Sequence, residues 1–279
     1  MSATATTPQH QRPSLLGTDA GRFWSLTWTL AVTDFKLRFY GSVLGYVWTL
    51  ARPFLFFGVI YFVFTEIVGL DKNVPNYGVY ILFALVLFQF FGEVTGNCLG
   101  SLVARESMLR KMRFPRLVIP LSVVLTALFN LGMTLIAVFV FALASGVYPR
   151  VSWLELPVII ALLTLFATGV GLLLSALFVR YRDVQPIWDV TSQLLFYASP
   201  VLYVATMVPE SYQRAYLANP IAALLTEMRH AVVDPTSRHV WDAIGAPERL
   251  LLPTAIVVGT LVLGLWVFKR EAPRIAENL

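Results

Sequence analysis

Between Arg180 and Tyr203 the chain reads RYRDVQPIWDVTSQLLFYASPVLY, and its polar side chains stand where chemistry or transport could use them. Arg180, Arg182 and Asp183 close one long apolar run and open another, which itself carries Asp189, Gln193 and a Ser199-Pro200 pair. Lipid tolerates such groups only where they face protein, water or a cargo. Asp189, two helical turns beyond Arg182, is deep enough to need a partner. Glu93 stands ~24 Å along another apolar run if that run is helical. A carboxylate there costs several kcal/mol unless paired, protonated or hydrated. Bonding between neighbouring helices is the first reading of Glu93, and a position along a substrate path the second. Arg52, next to Pro53, can snorkel towards headgroups.

Other chemistries have no residues to carry them. The sequence holds no GxxxxGK[ST] phosphate loop, HExxH, CxxC or GxSxG. His10, His230 and His239 lack metal-ligand spacing, and Asp and Glu form no catalytic cluster. No metal, catalytic residue or cofactor is therefore expected on this chain. The one cysteine, Cys98, lies in an apolar run and reads as a packed thiol.

The elements that must position these residues are membrane helices. Of 279 residues 57% are hydrophobic and 13% charged, whereas a soluble domain carries about 25% charged residues. Mean hydropathy is +0.71. Stretches at about Leu44–Leu70, Tyr77–Val103, Leu117–Ser145, Trp153–Val179, Gln185–Thr206 and Leu251–Phe268 are each long enough, or nearly so, to span. None shows the alternation of a membrane barrel. The expected fold is all-α, with six transmembrane helices.

The net charge of +5 would suit an acidic partner, but its distribution sets topology instead of marking a nucleic-acid site. Of the 21 Lys and Arg residues, 15 fall in the N-terminal part, the second and fourth connections and the C-terminal segment. By the positive-inside rule both termini are cytoplasmic, which an even number of spans also requires. Residues 1–21 contain no apolar core of a signal peptide and read as a disordered cytoplasmic tail.

Three further segments have two readings each. In residues 22–38, Trp24, Trp28, Ala31 and Phe35 recur at i, i+4, i+7 and i+11, as on an amphipathic interfacial helix. That helix is either an anchor or a moving part. The basic connection ARESMLRKMRFPR is a topology signal or, with Met108, Leu109 and Met112, a docking helix. From Asn219-Pro220 to Val233 a helix too short to span follows the Ser-Pro interruption, suggesting a re-entrant hairpin or a surface helix.

Four blocks in order give the chain a family likeness: RFYGSVLGYVW before Pro53; MLRKMRFPR; Arg182-Asp183-Val184 with Gln193, Phe196, Ser199-Pro200-Val201 and Tyr203; and Asn219-Pro220 with Arg229. On a six-span frame these resemble the ABC-2 type permease subunits that export polysaccharides such as O-antigen, teichoic acid and capsule. The likeness runs from about Phe35 to Lys269 within a transmembrane domain taken as 39–279. It implies a half-transporter in the cytoplasmic membrane of a bacterium, a second copy of the chain, and two copies of a cytoplasmic ABC ATPase carrying ATP and Mg. It also implies contact with membrane lipid and a polyprenyl-diphosphate-linked glycan as cargo.

The same likeness assigns ATPase coupling to Arg105, Met108, Leu109, Arg110, Lys111, Arg113, Phe114, Pro115 and Arg116, with Arg180, Arg182 and Asp183 as a second contact. Aromatic faces suit sugar rings without fixing one hydroxyl pattern. The candidates are Trp48, Tyr61, Phe90, Phe91, Trp188, Phe196 and Tyr197, each with packing as the competing role. With Arg38, Arg52, Glu93, Asp189, Gln193, Ser199, Pro200 and Tyr203 they make up the expected path or gate. Export of a drug, peptide or other lipid is the nearest alternative, and an ATP-independent flippase or enzyme for isoprenoid-linked sugars the next.

Overall fold

The structure, a computed structural model, describes residues 20–39, 43–69, 74–111, 114–241 and 251–278. Residues 1–19 of the expected tail, Met112 and Arg113 lie outside the described residues, and the last two residues of that tail, Ala20 and Gly21, already belong to a helix. Ten helices organise the described chain: α1 Ala20–Phe39, α2 Val43–Phe62, α3 Tyr77–Ala104, α4 Glu106–Lys111, α5 Val118–Ala144, α6 Glu155–Arg180, α7 Val184–Tyr197, α8 Glu210–Tyr216, α9 Pro220–Met228 and α10 Leu251–Asn278. A π turn, Val63–Ile67, extends α2, and another, Arg229–Val233, extends α9. No strand occurs among the described residues. Helices keep every backbone bond within one segment, as a hydrocarbon environment demands.

Five stretches are long and apolar enough to cross a membrane: Leu50–Ile67, Tyr77–Ala104, Val118–Ala144, Val151–Arg180 and Leu251–Glu271. The expected span at 185–206 departs from this. Its helix ends at Tyr197 after 14 residues, a rise of ~21 Å against a core of ~30 Å. Proline disfavours helical backbone at the residue before it and supplies no N–H of its own, so Ser199-Pro200 stops the helix.

α3 is the central helix, with α5 and α6 along its sides and α10 on the far side of α6. Small residues set these approaches. A Cβ on Gly169 of α6 would lie 2.7 Å from the Leu261 nitrogen of α10, and one on Gly171 would lie 2.9 Å from Cys98 Cβ of α3. Cys98 is buried at that crossing. Phe91 of α3 stacks on Phe166 of α6 at 5.5 Å between centroids.

One end of the bundle gathers Phe23 of α1, Leu102 of α3, Val118 of α5, Val179 of α6 and Phe268 of α10 into a single cluster. This proximal end therefore holds both α1 and the C-terminal part of α10. The starts of α3, α6 and α10 lie at the opposite, distal end, where α9 is buried against α6 and α10. α1 packs along α5 through Phe23, Thr27 and Ala31, whereas Trp24 and Trp28 are each 56% exposed. The stripe packed on the bundle thus lies beside the Trp24–Trp28 face, and Trp28 and Phe35 of that face meet Phe129 of α5 edge-on.

Candidate functional site

Two ion pairs tie α1 to α3. Asp34 pairs with Arg105, whose other terminal nitrogen donates to Ser122 Oγ at 3.2 Å. One helical turn on, Arg38 Nη1 donates to Glu93 Oε1 at 2.6 Å, and Asn130 Nδ2 of α5 donates to the same oxygen at 2.6 Å. Glu93 therefore bonds three helices together, as its first sequence reading expected. Thr126 Oγ1 adds a bond to the Ala31 carbonyl at 3.3 Å.

Although α3 is the most enclosed of the five candidate spans, Gln89, Gly96 and Asn97 on it are exposed. Gln89, Glu93 and Asn97 recur every fourth residue and so share a face. Sequence reasoning missed Gln89 and Asn97; their spacing from Glu93 was the available signal. On α2 the exposed side includes Trp48, Arg52, Phe56, Val59 and Tyr61. α7 has no buried residue at all. Its Asp189 and Gln193 are exposed, and Asp189 has no ion-pair or hydrogen-bond partner among the described residues, contrary to the expected need for one.

The aromatic candidates divide. Phe90 and Phe91 are core residues, 3% and 0% exposed, so they line no open path in this structure. Trp188 packs 6.1 Å from Phe91, and Phe196 meets Phe88 edge-on at 5.1 Å. Trp48 and Tyr197 are open, at 66% and 61%.

Beyond α7 the broken backbone is held by specific donors. Tyr77 donates its hydroxyl to the Leu202 carbonyl at 2.6 Å. Tyr80 serves the Pro200 carbonyl and, at 2.9 Å, that of Tyr203. Asn219 Nδ2 donates to Ser199 Oγ at 3.0 Å, while its Oδ1 accepts from Ile221 N at 3.0 Å and caps α9. The third and fourth sequence blocks thus meet as one clamp. Tyr203 donates to the Tyr197 carbonyl at 2.9 Å, and Tyr216 donates to Tyr203 at 3.1 Å. Burial, and then this bond to Tyr203, raises the Tyr216 hydroxyl above the ordinary phenol pKa. Arg229, also from the fourth block, is buried and pairs with Asp234 at 3.3 Å.

At the proximal end, α4 presents Arg110 and Lys111 outward, Arg110 paired with Glu106 at 2.8 Å. Leu109 and Phe114 lean on the bundle cluster, Met108, Pro115 and Arg116 are half-buried, and Arg105 is engaged by α1. Residues 180–183 form an exposed turn, with the Arg182 guanidinium over the Phe178 ring at 4.9 Å.

Among the described residues the bundle is all-helical, with exposed basic turns at its proximal end and exposed polar side chains within apolar helices. Residues 25–233 match the ABC-2 type transporter family, and the chain belongs to it. It is 31% identical over 260 residues to the O-antigen export system permease protein RfbA of Klebsiella pneumoniae, covering 93% of this chain and 96% of that protein. It is also 32% identical over 253 residues to RfbA of Myxococcus xanthus, covering 90% and 94%. The polysialic acid transport protein KpsM of Escherichia coli is 20% identical over 209 residues, covering 73% and 80%.

Proposed function

We propose that this chain is the permease half of an ABC exporter that moves a cell-envelope polysaccharide, linked to polyprenyl diphosphate, across a bacterial cytoplasmic membrane. The observation that carries the reading is the polar strip Gln89, Glu93 and Asn97 within the apolar helix α3, with Gln89 and Asn97 exposed and Glu93 half-buried between them. Hydrocarbon does not cover such a strip; a second copy of the chain and a hydrated cargo between the copies do.

In this reading the proximal end is cytoplasmic, in line with the basic residues gathered there. α7 and the non-helical residues after it make the sixth crossing, and α9 re-enters from outside. Two copies of a separate ATPase bind ATP and Mg and push on α4 and the 180–183 turn. Their closure must favour one arrangement of the permease pair over the other. Trp48, Tyr61, Trp188, Phe196 and Tyr197 offer ring faces to passing sugars. Arg38 and Arg52 attract the diphosphate, and Asp189 and Gln193 keep the path wet.

Depletion of the chain is expected to accumulate lipid-linked glycan on the cytoplasmic leaflet, measured by glycan-lipid extraction with leaflet-selective labelling. An unchanged pool would assign a different cargo. Lys111→Glu replaces an outward cation by an anion at the proposed ATPase contact. It is expected to lower permease-stimulated ATP turnover roughly tenfold, since close charge pairs across interfaces couple strongly. Unchanged turnover and co-purification would leave the α4 connection as a topology signal.

A further inference from the structure

The distal end contains a cavity that the transport reading does not use. It has a volume of about 330 Å³ and lies between the first turns of α6 and α10 and the helix α9. That size falls within the range of about 300–1,000 Å³ typical of small-molecule sites. Leu162, Leu224, Trp241 and Val257 make it predominantly apolar, and the carboxylates of Glu155 and Glu227 are its charged members.

Its position along the spans defines what can enter. Glu155 is the first residue of α6, and Leu162 is seven residues further along the same helix, a descent of ~10 Å. The cavity therefore starts at the polar boundary of the bundle and runs inward among hydrophobic walls. The polar end is fixed: Glu227 accepts from His239 Nδ1 at 3.0 Å and from the Val240 backbone at 3.1 Å. The His239 ring also stacks on Trp241 at 3.9 Å, which holds that wall in place. Among the described residues Glu155 has no ion-pair partner.

We propose that this cavity binds the acyl chain of a zwitterionic aminophospholipid, with the lipid's ammonium group at Glu155 and Glu227. An apolar body lined at its polar end by two carboxylates, one of them held by His239 and the Val240 backbone, matches a hydrocarbon chain below a cation. The same pair repels phosphatidylglycerol and the diphosphate of an exported lipid-linked glycan, so the cavity is a resident-lipid site apart from the cargo path. Its assignment to the outer leaflet rests on the orientation proposed above; the chemistry of the occupant does not.

Native mass spectrometry of the full-length protein, incubated in mild detergent with phosphatidylethanolamine or phosphatidylglycerol of identical chains, tests this without any transport assay. Wild-type protein is expected to retain phosphatidylethanolamine roughly tenfold more than phosphatidylglycerol. Glu155→Gln with Glu227→Gln is expected to abolish that preference. Val158→Trp, at a lining position that is 59% exposed, should fill the cavity and remove retention of both lipids. Equal retention of the two lipids by wild-type protein, or retention unchanged by Val158→Trp, would overturn the proposal. So would a disulfide formed between copies through Val158→Cys, which would put a second copy of the chain over the cavity.

Discussion

Gly264→Leu is expected to separate α10 from α6 and to lower the stability of the detergent-solubilised protein more than any substitution on the open face. A Cβ at Gly264 would press on the Gly169 carbonyl, and a Cβ at Gly169 would lie 2.8 Å from Leu261 Cα. Both obstacles are backbone, which cannot rotate aside as a side chain can. Overpacking generally costs about 1–3 kcal/mol, and a leucine against an opposing helix backbone belongs at the upper end. Close approach through small residues is also how helices gain attraction in lipid, where no hydrophobic effect draws them together. Gly259, on the same helix, has nothing within 4 Å of an added Cβ. Gly259→Leu is therefore expected to be near neutral, and the two variants can be compared by thermal unfolding in one detergent. Equal melting temperatures would show that the α6–α10 contact is not tight.

Glu93→Leu is expected to reduce export about tenfold, with Glu93→Gln close to wild type. Glutamine keeps an oxygen that can accept from both Arg38 and Asn130. Leucine removes it, and the Asn130 side chain is buried with its own oxygen already unpartnered. Leaving a buried amide unsatisfied costs about 1–3 kcal/mol. The ion pair itself adds little, because Arg38 is 45% exposed and Glu93 24%, and water screens such pairs to about 0–1 kcal/mol. The prediction therefore separates hydrogen bonding from charge. The double variant Arg38→Met with Glu93→Leu should be no worse than Glu93→Leu alone if the residues act as a unit. Additive losses in an export assay would show two independent roles.

Much of the frame was legible because hydropathy and length decide it. Tyr77–Ala104 and Val118–Ala144 fall within one residue of the stretches read from sequence. The termination of α7 was half-legible: Ser199-Pro200 signalled a break, but apolar content alone carried the reading on to Thr206. What the sequence withheld were pairings across long separations. Glu93 and Arg38 were each noticed, yet 55 residues part them and no periodicity joins them. Tyr77 and Tyr80 carry no signal of their roles in the sequence, because their acceptors lie more than a hundred residues away. Periodicity also left the bundle-facing stripe of α1 unmarked: Phe23 fills the cluster at 2% exposure while its neighbour Trp24 stays open.

The two ion pairs of α1 have a consequence that follows from their order. Along α1 the signs run negative at Asp34 and positive at Arg38, and facing them are Arg105, just past the end of α3, and Glu93 within α3. A slip of α1 by one turn in one direction would set Arg38 against Arg105; a slip in the other would set Asp34 against Glu93. Both misalignments exchange an attraction for a repulsion, so the order of signs biases α1 towards its observed register against a slip in either direction.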